Sequence, residues 1–60
     1  MNELMIEGYF YFKVGQTTDL DQAITLFKAV AENSGINVDN IEYVRLDDAQ
    51  GEEIASKQYN

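Results

Sequence analysis

The sequence contains no cysteine and no histidine among its 60 residues. The chain can therefore form no disulfide, and it has no thiolate or imidazole side chain to bind a metal ion. It also lacks the usual partners of nucleophilic catalysis, in which a base takes the proton of a thiol or hydroxyl group. We expect no enzyme activity, no metal site and no bound cofactor. The absence of cysteine is consistent with a cytoplasmic location.

Basic residues and long apolar runs are also scarce. Four lysines and arginines face eleven aspartates and glutamates, which gives a net charge of -7. A chain of that sign is repelled by nucleic-acid backbones and anionic membranes, and it is attracted to basic surfaces. No apolar run approaches the ~18 residues of a membrane-spanning helix, and the first residues lack the basic region of a signal peptide. We expect a protein partner with a basic surface and no association with membranes.

The first part of the chain predicts a strand followed by a helix. Residues 3–14 alternate between aliphatic or aromatic and polar positions, so that the even positions fall on one face and the odd positions on the other. The apolar positions of residues 20–31 recur every three or four residues, as on one face of an amphipathic helix. Thr18 or Asp19 is the expected N-cap, and Gly35 is the expected left-handed stop.

The second part predicts two strands joined by a tight turn. Residues 41–47 form the second strand, residues 48–51 have the Asp and Gly of a type I turn, and residues 52–59 form the third strand. The expected fold is a single α+β domain over residues 1–60, in β-α-β-β order. One helix packs on one face of a three-stranded sheet.

Gly8 leaves two interpretations of the first strand open. It marks a bulge in one long strand, or Glu7 and Gly8 turn the chain into a hairpin and split the strand in two. In the three-stranded arrangement the first strand lies at an edge of the sheet, because the other two strands are hairpin neighbours. Its unpaired backbone groups then favour pairing with a second copy of the chain.

The aromatic residues of the stretch GYFYFKV separate by position. Phe10 and Phe12 are predicted to face the helix with Phe27, because a phenyl ring belongs in a dry core. A phenol ring also carries a hydroxyl group that needs water or a partner, which places tyrosines on the open face of the sheet. The predicted partner-binding or dimer-forming residues on that open face are Tyr9, Tyr11, Tyr43, Arg45 and Tyr59.

Acidic residues cluster in the predicted hairpin. Same-face residues of a strand stand ~6.6 Å apart, in the range of successive phosphates along one DNA strand, so an acidic hairpin can occupy a groove that holds nucleic acid. The same acids lack the ligand spacing of an EF-hand calcium loop. The predicted partner-binding acids are Asp39, Glu42, Asp47, Asp48, Glu52 and Glu53.

The whole architecture resembles a class of small phage proteins. The features of the resemblance are a short acidic chain without histidine or cysteine, a strand, a helix start of the form TxDxDQA at residues 17–23, and a hairpin. In these respects the chain is similar to anti-CRISPR proteins and to phage inhibitors of host RNA polymerase. The resemblance implies an inhibitor that acts in the host cytoplasm, and it carries over no individual residue.

Three functions follow in order of preference. The first is a non-enzymatic inhibitor that occupies a basic or nucleic-acid-binding surface of a partner protein. The second is a structural or assembly module that homodimerises through the first strand and the tyrosine-rich face. The third is a single-strand nucleic-acid binder that stacks bases on the open sheet, against which the acids of that face argue.

Overall fold

The chain forms four strands and one helix in the computed structural model, which describes residues 1–36 and 38–59. The strands are β1 (Asn2–Ile6), β2 (Phe10–Gly15), β3 (Tyr43–Asp47) and β4 (Glu53–Gln58), and the helix α1 (Leu20–Asn33) joins β2 to β3. All neighbouring strands are antiparallel, in the order β2-β1-β3-β4. The predicted α+β class is confirmed, but the prediction of three strands is wrong, because the first predicted strand is a hairpin.

A tight turn at Glu7 and Gly8 divides the predicted first strand. Glu7 has φ +59° and Gly8 has φ +84°, the left-handed values that both central residues of a type I′ turn require. The Tyr9 N–H closes the turn on the Ile6 carbonyl at 3.3 Å. The hairpin interpretation of Gly8 is therefore correct, and β1 lies in the centre of the sheet rather than at its edge. The edge strands are β2 and β4.

The helix begins and ends with the predicted chemistry. Asp19 is the N-cap, and its side chain accepts the backbone N–H groups of the first turn. At the other end Gly35 has φ +74°, and the Ile36 N–H bonds to the Ala31 carbonyl at 2.9 Å, as in a Schellman motif. Local signals in the sequence therefore account for the positions of both ends of α1.

The core lies between α1 and one face of β1, β2 and β3. The Phe27 ring contacts the rings of Phe10 and Phe12, with centroids 6.0 and 5.6 Å apart, which confirms that the three rings cluster on the helix side. The predicted dry environment holds for Phe27 but not for Phe10, which is 42% exposed at the end of the edge strand β2. Val30 occupies an apolar position of the predicted helix stripe but is half-exposed. The buried apolar residues of the core are Leu4, Ile6, Val14, Ala23, Ile24, Phe27, Ala31, Val44 and Leu46.

The β3–β4 hairpin has the predicted turn and an unpredicted bulge. The Gly51 N–H donates to the Asp48 carbonyl at 3.0 Å, which closes the turn. The pairing register shifts between Leu46 and Asp47, so that one extra residue of β4 is accommodated there. Beyond the bulge Ala55 and Lys57 are paired with Leu46 and Val44, which places them on the helix side of the sheet, and Ile54 at the bulge also packs against the core.

Candidate protein-binding surface

The open face, meaning the face of the sheet opposite α1, holds fewer tyrosines than predicted. Tyr11 and Tyr43 lie on it as predicted, with Arg45 beside them on β3. Tyr11 is 55% exposed, whereas Tyr43 and Arg45 are half-buried. The open face therefore offers one well-exposed phenol ring rather than a continuous surface of four.

Tyr9 and Tyr59 are not on the open face, so their predicted placement is wrong. Tyr9 lies in the β1–β2 turn and lines a groove that Phe27 also lines, on the helix side of the sheet. Tyr59 lies beside Phe27 and Val44 at a second cavity, and the ammonium group of Lys57 is 5.1 Å from the centre of its ring. Tyr9 differs because it lies in the turn and outside the alternation of the strands, and Tyr59 differs because the bulge changes which side chains of β4 face the helix.

Asp47 is an internal ion-pair partner and not an exposed acid. The Arg45 guanidinium donates from Nε to Asp47 Oδ1 at 2.8 Å and from Nη2 to Oδ2 at 3.0 Å. Asp47 is 6% exposed, and its hydrogen bond and negative charge raise the pKa of Arg45 above its ordinary value. The structure therefore removes Asp47 from the predicted partner-binding acids, and Arg45 is committed to the same pair.

Asp48 is also occupied within the fold. Its Oδ1 accepts the backbone N–H groups of Gln50 and Glu52, both at 2.9 Å. An aspartate that bonds to backbone groups two and four residues ahead holds the turn together. One oxygen of Asp48 is therefore engaged within the fold and fixes the position of the acids that follow it, and its predicted contact with a partner stays a prediction.

The other four predicted acids are exposed but form two groups. Glu52 and Glu53 lie at the β3–β4 turn, whereas Asp39 and Glu42 lie before the opposite end of β3. At ~3.3 Å per residue, the five steps from Glu42 to Asp47 separate the two ends by about 17 Å. The structure therefore does not bring the six predicted acids together on one acidic hairpin.

Glu7 has a structural role that sequence reasoning missed. Its Oε1 accepts the backbone N–H groups of Glu42 and Tyr43, the latter at 3.0 Å, and its own N–H donates to the Tyr43 carbonyl at 3.0 Å. The β1–β2 turn is thus bonded to the start of β3. The only signal in the sequence was that Glu7 and Gly8 could form a hairpin turn. The backbone groups that the Glu7 carboxylate binds could not be predicted, because they depend on the order of the strands in the sheet.

A mainly apolar groove lies between the β1–β2 turn, α1 and the segment that precedes β3. We call it the turn groove; its volume is about 230 Å³. Three of its walls are exposed apolar side chains, namely Tyr9 at 79%, Ile36 at 49% and Phe10 at 42% exposed. No prediction from the sequence anticipated this groove, because it depends on the turn at Gly8. The lining residues are Ile6, Glu7, Tyr9, Phe10, Phe27, Ile36, Asn40 and Ile41.

The described residues also bear on metal-binding and membrane-spanning functions. Across residues 1–36 and 38–59, no three acidic side chains are grouped closely enough to hold a metal ion. The same residues contain no helix that is long and apolar enough to cross a membrane. The predicted absence of a cofactor stays a prediction.

Comparison with known proteins adds no relative. No protein-family profile matches the chain, and no curated protein or solved structure is similar to it at a significant level. The candidate surfaces therefore rest on the geometry and charges of this chain alone.

Proposed function

We propose that this chain is a non-enzymatic protein-binding module that lays exposed carboxylates on a basic surface of a partner protein. The proposed role is inhibition: the partner handles nucleic acid in the cytoplasm, and the carboxylates take the place of phosphates. The observation that carries the proposal is the exposure of Glu52 and Glu53 beside a turn that Asp48 fixes with two side-chain hydrogen bonds.

The charges around that turn favour the same proposal. Arg45, the only arginine of the chain, already binds Asp47, so it is not the counter-charge for Glu52. A rigid turn loses little conformational freedom when its carboxylates meet a lysine or arginine, which is the condition for an effective charged contact. Exposed acids also accelerate the approach of a basic partner, and of Glu52 and Glu53 only Glu53 interacts electrostatically with Arg45.

Binding to proteins captured from a bacterial lysate tests the proposal. The paired change Glu52→Gln and Glu53→Gln is expected to abolish retention of the captured protein, as is competition by duplex DNA. The control is Asp21→Asn, which removes an exposed charge from the first turn of the helix, away from the acidic turn, and is expected to retain binding. Binding by the wild-type chain is expected to weaken with salt, because the Debye length falls from ~10 Å at 0.1 M to ~3 Å at 1 M.

Two outcomes would contradict the proposal. One is undiminished binding by the neutralised turn, and the other is a captured protein that duplex DNA does not displace. Circular dichroism of each variant establishes that lost binding reflects lost charge rather than unfolding.

A second candidate function is self-association, and the observation that favours it is the position of β2 at an edge of the sheet. An edge strand presents unpaired backbone groups to a second copy. The predicted dimer contact was the first strand with the tyrosine face. The part of that predicted strand that lies at an edge of the sheet is β2, where Tyr11 and Lys13 are exposed. Sedimentation at micromolar concentration tests it: a dimer that Tyr11→Lys dissociates is expected, and a monomer at all concentrations would refute it.

A further inference from the structure

The turn groove combines apolar walls with a rim that carries no lysine or arginine among its lining residues. Its volume of about 230 Å³ is below the ~300–1,000 Å³ of pockets for drug-sized molecules, so it fits one large side chain rather than a whole ligand. Phe10 and Ile36 are each more than two-fifths exposed, and a side chain inserted between them would bury apolar surface on both.

The surroundings of the groove are negative from three directions. Glu7 belongs to its lining, with one carboxylate oxygen bonded to backbone N–H groups at the start of β3, and Glu42 directly follows Ile41 of its wall and is exposed. The third direction is the C-terminal end of α1, where Ile36 is held against the last turn by its bond to Ala31. That turn contains Glu32 and no basic residue, so the negative end of the helix dipole is not compensated there.

We propose that the turn groove binds one large apolar side chain of a partner segment in which lysines or arginines flank that side chain. The apolar side chain fills the groove, and the flanking cations lie against Glu7, Glu42 and the carboxyl end of α1. The inference deepens the proposed function, on which it rests, because it identifies a contact that selects one basic partner segment among many. It also explains why apolar side chains are exposed at this end of so acidic a chain.

Titration of ¹⁵N-labelled protein with synthetic peptides, followed by NMR, tests the inference. The probe is a short peptide with one phenylalanine between two pairs of lysines. We expect saturable shifts confined to the amides of residues 6–10, 36 and 40–42. A peptide with alanine in place of the phenylalanine is expected to bind about tenfold more weakly, which corresponds to ~1.4 kcal/mol. A peptide with glutamates in place of the lysines is expected not to bind.

Variants of the protein provide the matched comparison. Ile36→Lys places a cation at the groove and is expected to weaken binding of the phenylalanine peptide at least about tenfold, or ~1.4 kcal/mol. Leu26→Lys is the control, since Leu26 is similarly exposed on α1 but does not line the groove. It makes the same change of charge and is expected to leave binding unchanged.

The possible failures are distinguishable. Shifts at Glu52 and Glu53 in place of the groove would overturn this inference and leave the proposed function standing. If a peptide with serines in place of the lysines bound equally well, the proposal that the partner segment needs flanking cations would be overturned. No binding of any lysine peptide to any part of the chain would overturn both proposals. A dimer that Ile36→Lys dissociates would show that a second copy occupies the groove, and would also overturn the inference.

Discussion

Replacement of Phe27 by alanine is expected to remove most of the stability of this fold. Phe27 is 5% exposed, and its ring contacts two other rings from the sheet. A buried Phe→Ala change costs about 3–5 kcal/mol, because the lost transfer energy is joined by the cost of the cavity. At ~0.05–0.15 kcal/mol per residue, a chain of this length has only about 3–9 kcal/mol in total.

A graded series makes the reasoning quantitative even if Phe27→Ala does not fold. Phe27→Leu keeps an apolar side chain but loses both ring pairs, each worth ~0.5–1.5 kcal/mol, so a loss of about 1–3 kcal/mol is expected. Phe12 is only half-buried on the edge strand β2, so Phe12→Ala is expected to cost about 2 kcal/mol. Tyr11→Ala on the open face is expected to cost less than about 1 kcal/mol.

Urea unfolding followed by far-ultraviolet circular dichroism measures the series, since α1 gives a signal that does not depend on the substituted rings. The midpoint urea concentration is expected to be highest for the wild type and to fall in the order Tyr11→Ala, Phe12→Ala and Phe27→Ala. A Tyr11→Ala chain as unstable as Phe27→Ala would refute the assignment of the core to the helix side of the sheet.

Three further changes test the structural roles of single residues. Asp47→Asn is expected to lower the thermal unfolding midpoint because it breaks the pair with Arg45, whereas Glu52→Gln should not; equal midpoints would contradict the assigned ion pair. Gly8→Ala is expected to cost about 1–2 kcal/mol in urea unfolding, since alanine is strained at φ +84° even though its Cβ meets no atom; an unchanged midpoint would argue against the type I′ turn. Asp19→Ala is expected to cost about 1 kcal/mol of helix capping by the same assay, and Asp19→Asn should restore most of it.

The features that were predictable from the sequence are those that local chemistry determines. The cap at Asp19, the stop at Gly35 and the turn that Asp48 begins each depend on a few neighbouring residues. The sorting of Phe12 and Tyr11 to opposite faces depends on the two-residue period of a strand, and it also holds.

The turn at Gly8 was ambiguous for a geometric reason. Three residues separate Ile6 from Phe10, which face each other in the hairpin. A loop with an odd number of residues leaves the even positions on the helix side in both strands, so the alternation continues through the turn unchanged. One long strand and a hairpin therefore have the same hydrophobic pattern.

The candidate site was predicted less well, because its residues depend on pairings between distant parts of the chain. The bulge at Asp47 has no mark in the sequence, yet it moves Tyr59 to the helix side. The pair of Arg45 and Asp47 did have a signal: opposite charges two residues apart on a strand share one face. The prediction treated Asp47 only as a partner-binding acid of the hairpin and therefore missed its pairing with Arg45.

The central position of β1 has a consequence for how fast the chain folds. The β1–β2 hairpin and α1 are built from contacts between near neighbours in sequence, so they can form early and independently. The pairing of Glu3 with Asp47 instead closes a loop that contains most of the chain, and its entropic cost comes before any stabilising contact. Docking of β3 beside β1 is therefore the expected rate-limiting step, and the bonds from Glu7 to the start of β3 are placed where they would hold the newly closed loop.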